Sequence, residues 1–269
     1  MRVAALVVAC LPACAWGPGE PFGEVTVELT ARWQVPAGRD LGGGWQKLAS
    51  DFAVRVDAAS LPARSLDLVA AATAALNFDP AHPPPGYTLC HNGHCHTADG
   101  RLVSYEDIAA EIAGGAPPAA VVSFALIAPL ELIAGTMAVL DCGGPCTLPQ
   151  TRIGKVKLDL TGVTAAGLVR DTREPPRFAG ERPWRAAVTF DHVVPIASAV
   201  DLPVDRTSSP EIRLAAELAA SAAVLDGVRW DVLATAPGEI ALTADPPSVE
   251  AARAALGEVA LTTTVSRSD

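Results

Sequence analysis

The chain has 269 residues, half of them hydrophobic but only 5% aromatic, and a formal net charge of −10. That length can bury a substantial core in one large domain or two small ones, and the composition makes Val, Ala and Leu its main constituents. Thirty acidic residues against twenty basic ones, with no basic stretch, argue against nucleic-acid binding, which needs a positive footprint.

The first fourteen residues, MRVAALVVACLPAC, carry one positive charge, a short apolar run through Leu11, and then Leu-Pro-Ala before Cys14. Small residues before a cleavage point are an export signature. The segment resembles the bacterial lipoprotein signal, which implies removal of residues 1–13 and a lipid on Cys14. Cys10, after Val-Val-Ala, is the second choice. The resemblance covers only this signal and implies a membrane anchor through the lipid, residues 14–23 as a tether, and residues 24–269 as an extracytoplasmic domain. The cell envelope follows, either attached to the outer membrane or facing the periplasm.

Beyond the tether the patterning is that of strands. In EVTVELTARWQV (24–35), Val25, Val27, Leu29, Ala31, Trp33 and Val35 share one face. Further strands are predicted at 52–57, 155–160, 185–194, 211–218 and 239–243, with Asp226-Gly227 as a tight turn between two more. Residues 119–140 are apolar enough for a membrane span, but Pro129 and Glu131 at their middle favour two buried strands. One helix is predicted over YEDIAAEIA, capped by Ser104 and stopped at Gly114-Gly115. A second runs through DPPSVEAARAALG, capped by Asp245 or Ser248 and stopped at Gly257. The expected fold is mainly β, an antiparallel β-sandwich-like domain with one or two accessory helices.

Residues 87–100, YTLCHNGHCHTADG, hold three of the five histidines and two of the six cysteines. Asn92-Gly93 suits a two-residue turn with both residues at positive φ. Cys90 then faces Cys95 in a non-hydrogen-bonded pair, with Cα atoms about 4.5 Å apart, at the lower edge of disulfide reach. Alternation sends His91, His94 and His96 to the opposite face, His91 and His96 as diagonal neighbours about 7–8 Å apart at the backbone. Three imidazoles on one face can hold copper or zinc. His82, Asp79, Asp99 and His192 are candidates for a further ligand.

Other chemistries compete for these residues. Cys90-HNGH-Cys95-His96 resembles a lengthened cytochrome c attachment motif, which implies haem thioethers on both cysteines and His96 as axial ligand. Mixed Cys/His zinc ligation is open only to reduced thiols, and a solvent-exposed tip pinned by a disulfide needs no ligand at all. In DCGGPC, Cys142 and Cys146 are expected to close a second disulfide; a redox pair would want C-x-x-C spacing. His192 shares strand parity with Val188, Phe190 and Val194 and reads as a core histidine. No nucleophile elbow, phosphate loop, HExxH motif or standard calcium loop is present. The combined expectation is a lipoprotein that binds or handles copper or zinc without turnover. The alternatives are a structural or protein-interaction envelope lipoprotein without metal and a c-type haem protein.

Overall fold

The computed structural model describes residues 21–72, 78–91, 93–115, 118–144, 146–205, 211–235 and 237–267. The leader, Cys10, Cys14, Asn92 and Pro145 lie outside the described residues. In chain order the principal elements begin with β1 (Pro21–Gln34), β2 (Phe52–Leu61) and β3 (Ala63–Ala70). The Cys/His segment follows as β4 (Tyr87–His91), β5 (His94–Thr97) and β6 (Leu102–Ser104), leading into α1 (Tyr105–Ile112). The remainder is β7 (Ala120–Leu126), β8 (Arg152–Asp171), β9 (Glu181–Pro203), β10 (Glu211–Ser221), α2 (Pro246–Gly257) and β11 (Ala260–Arg267).

Two larger sheets share one apolar core. β1 lies between the short strand Thr147–Pro149 and β10, and β10 is followed by β11. The largest sheet is organised around β8, which pairs with β9 along its length; its other edge is divided between β3, at 153–160, and β2, at 164–171. The alternation read in 24–35 is realised through Trp33, with Val25, Leu29 and Ala31 buried and Val27 and Trp33 packed against the same core, but Val35 lies beyond the end of β1 and is exposed. In β8, Ile153, Val156, Leu158 and Leu160 are buried, while Lys155 and Lys157 lie on the other face. The core gathers Leu29 and Leu214 from one sheet with Leu68, Leu158 and Ile196 from the other. Among the described residues no sheet closes on itself.

Several expectations are corrected. The assembly is mixed rather than antiparallel, because β1 and β10 run parallel from Glu24↔Glu211 to Gln34↔Ser221. A two-residue period reports which face is buried but carries no information on strand direction. The strand begins at Pro21, so the last residues assigned to the tether belong to it. Asp226 is not in a β-hairpin: a 3-10 turn (Ala222–Leu225) precedes it and a one-turn helix (Trp230–Leu233) follows. Its carboxylate instead accepts from Arg39 Nη1 and Nη2 at 2.8 and 2.7 Å and from Ala49 N at 2.8 Å, fixing the distant 37–49 segment. The 119–140 stretch forms β7 and two two-residue strands, Leu130–Glu131 and Leu140–Asp141, and it exposes Ile127, Ile133, Met137 and Val139. Among the described residues no helix is long and apolar enough to cross a membrane. The 239–243 strand shortens to Ile240–Ala241 and continues as a 3-10 turn.

Both helices form where their caps place them. Ser104 Oγ accepts from Asp107 N, and the Asp245 carboxylate accepts from Ser248 N ahead of Pro246 at the first turn. Asp245 is also held by Arg229, whose Nε donates to Oδ2 at 2.9 Å.

The most crowded point of the large sheet is Gly167, paired with Trp184 on one side and with Val56 on the other, where β2 carries an extra residue. A Cβ at this position would lie 1.9 Å from the Arg55 carbonyl oxygen. Gly167→Ala is therefore expected to lower unfolding free energy by about 1–3 kcal/mol, the usual cost of forcing an extra carbon into a packed site. Urea denaturation of the variant against the parent checks this; an unchanged midpoint would contradict the observed strand spacing.

Candidate metal centre

The Cys/His segment folds as a strand pair with the register read from its sequence. Cys90 pairs with Cys95 and His91 with His94, and Gly93 adopts φ 85° in the intervening turn. Tyr105 N donates to Gly93 O at 2.9 Å, which ties the turn to the start of α1. The Cys90 and Cys95 sulfurs are joined, with Cα atoms 4.0 Å apart, and Cys95 is fully buried. This bond leaves neither sulfur for haem thioethers nor for zinc thiolates. Cys142 and Cys146 form the second local disulfide.

The imidazoles collect on the face opposite the sulfurs. Ring centroids lie 4.8 Å apart for His91–His94, 5.1 Å for His91–His96 and 5.3 Å for His94–His96. His91 Nε2 and His96 Nε2 are 3.0 Å apart. The expected diagonal separation at the backbone is therefore spanned by the side chains.

A fourth ligand comes from a part of the chain that the local pattern does not reach. Glu258, the C-cap of α2, places Oε1 3.1 Å from His94 Nε2 and 3.4 Å from His91 Nδ1. One potential ligand atom from each of His91, His94, His96 and Glu258 lies within 4.8 Å of all the others. Two contacts seat the helix end on the hairpin. Arg253 Nη2 donates to Gly100 O at 2.6 Å, and Gly257 admits the tip of Leu102, which would stand 2.4 Å from a Cβ. Leu102 is the β6 partner of His96, so the glycine brings the following carboxylate directly over the histidine face.

The electrostatics favour a cation at this point. His94 Nε2 is buried without a well-aligned hydrogen bond, although the Glu258 oxygen is close. An imidazole lone pair and a carboxylate oxygen at that separation repel unless a proton or metal ion lies between them. Burial pushes His94 below its usual 6.5, with Glu258 opposing and the neighbouring histidines assisting. Burial, followed by the charge of His91, does the same to His96. Both rings are therefore held in the neutral form that ligates metal. In a tetrahedral zinc site with bonds of about 2.0–2.2 Å, ligand atoms stand about 3.3–3.6 Å apart. The 3.0 and 3.1 Å contacts need to open by a few tenths of an ångström, and the widest separation, 4.8 Å, to close by about 1.2 Å, to reach that spacing.

The remaining candidates fall elsewhere. His82 and Asp79 pair with each other at 2.8 Å on an exposed turn, and Asp99 bonds to Thr97 and Arg101. His192 is exposed, contrary to its core assignment. Between the pairs Leu160↔Val194 and Gly162↔Thr189, β9 has four residues against one in β8, and this bulge breaks the parity that linked His192 to Phe190. His192 nonetheless lines the same cleft as His94 and Glu258.

The lowered histidines set a pH signature for the metal-free protein. Between the ordinary value of 6.5 and the lower folded values, the unfolded chain binds more protons than the folded one, so stability falls as pH drops through this window. Carboxylates held at about 2, Asp171 by Arg173 and Asp245 by Arg229, act in a separate window, losing their contribution only as pH falls below their ordinary 3.8. Urea unfolding from pH 8 to pH 5 is expected to show the histidine loss, and His94→Gln to flatten it; equal slopes in the two proteins would refute burial as the cause. Compared with known proteins, the chain matches no family model, no curated protein and no solved structure, so the functional reading rests on this geometry.

Proposed function

We propose that the protein is a lipid-anchored protein of the bacterial cell envelope that binds or handles a divalent transition metal, zinc or copper, through His91, His94, His96 and Glu258. The observation that carries this reading is the convergence of four potential ligand atoms within 4.8 Å of one another around the buried Nε2 of His94. Three imidazoles and a carboxylate suit Zn(II) or Cu(II). They do not suit Cu(I), which prefers sulfur, since the hairpin cysteines are joined to each other. The site's ligands belong to two elements docked by Arg253 and Gly257, so binding requires the folded chain.

The envelope assignment is supported by the lipoprotein-like segment ending at Cys14 and by two short-range disulfides, which suit an oxidising compartment. The lipid supplies the membrane partner. The metal-site residues provide binding and orientation, and the role is one of binding or handling the ion.

Titration calorimetry with elemental analysis is expected to find one zinc or copper ion per chain. His94→Ala should weaken that binding by at least about 100-fold, more than loss of a supporting partner usually costs. Glu258→Gln should weaken it by about tenfold while leaving the hairpin disulfide intact by mass. Equal, weak binding by the parent and both variants would remove the metal reading and favour a structural or interaction role.

A further inference from the structure

Resting on that metal reading, we infer that the cleft beside the cluster is a binding site for a small oxyanion, a carboxylate or phosphate group, that bridges the metal and Lys155. The cleft has a volume of about 650 Å³, within the usual range for small-molecule sites. Of the four metal-site residues only His94 and Glu258 line it. These two residues place one side of the ion against the cleft, and zinc can take a fifth ligand there.

Lys155 stands at the right place. Ser104 pairs with His94 across β5 and β6, so their side chains share a face. Lys155 Nζ donates to Ser104 Oγ at 3.1 Å and to Glu106 Oε2 at 3.3 Å. An ammonium has three protons, and among the described residues no acceptor takes the third. The side chain is 13% exposed, so the two bonds hold the charge in a fixed position at the wall of the cleft.

Charge balance makes the site conditional on metal. Lys155, Lys157, Arg64 and Arg101 contribute four positive charges to the lining; Asp107, Asp159, Asp191 and Glu258 contribute four negative ones. The lining is balanced, but Glu106, Asp99 and Asp67 pair with Lys155, Arg101 and Lys157 from just outside it, so the metal-free cleft offers an anion no net positive charge, and a divalent ion adds two. The chain has three lysines, and two of them are here. Anion affinity should therefore appear on metal loading, because only then does an open coordination position stand beside the Lys155 ammonium.

Cobalt(II) substitution tests this, since its visible spectrum responds to a change of ligand. Cobalt-loaded and metal-free full chain would be titrated separately with acetate and inorganic phosphate, following the spectrum and the heat of binding. The loaded protein is expected to bind at least one of these anions with a spectral change, and the metal-free protein to bind neither. Lys155→Gln should weaken binding by about tenfold, the scale of one charge-assisted contact, at unchanged cobalt stoichiometry. Lys155→Arg should retain most of it. Lys47→Gln makes the same change in net charge at an exposed position outside the cleft and should have no effect. No spectral response from loaded parent protein, or equal losses in Lys155→Gln and Lys47→Gln, would overturn the anion site and leave the metal site standing. Failure to take up cobalt, zinc or copper would overturn both.

Discussion

The pleat of a strand is the constraint on which both the core and the site depend. Neighbouring side chains on a strand leave on opposite faces, and paired residues of two strands leave on the same one. In β1 and β8 this rule delivers apolar rows to a common core. In β4 and β5 it separates two incompatible chemistries that are adjacent in sequence, sending sulfurs to one side and imidazoles to the other. Without that separation the thiols would compete for the same ion. With it, the disulfide becomes a brace whose bond fixes the register of the ligands behind it.

The brace alone makes only part of a site. Three histidines on a short hairpin have one open flank, and the protein closes it with the C-terminal end of α2. Arg253 bonds the backbone at Gly100, Gly257 makes room for Leu102, and Glu258 follows immediately. Each contact is modest, but all three lie within six residues of one helix and address one small sheet. The position of the carboxylate is thus set by backbone approach and packing as well as by charge.

Much of the hairpin was legible because its determinants are local. Asn92-Gly93 predicts a reversal, and counting outward by one residue assigns every face; the structure retains that register at Cys90↔Cys95 and His91↔His94. The strand faces of 24–35 and the capped helices at 104 and 245 were legible for the same reason. Glu258 was not, since nothing near it in sequence separates it from other acids at helix ends, and its role depends on a contact across more than 150 residues. Strand direction was hidden as well: the β1 and β10 patterns read identically parallel or antiparallel. His192 was misassigned because a bulge resets parity, and bulges leave little trace when the inserted residues are themselves β-prone. The Asp226-Gly227 pair has good turn chemistry, but Asp226 is engaged by Arg39 and Ala49 from a remote segment.

The distance along the chain between the hairpin and Glu258 has a thermodynamic consequence. An ion held by both would close a loop containing most of the large sheet, adding a cross-link that the unfolded state lacks. Its binding energy would then add to the stability of the intervening strands, by an amount that grows with the free ion concentration over its dissociation constant. Supply of the ion would thereby govern how much of the chain is folded.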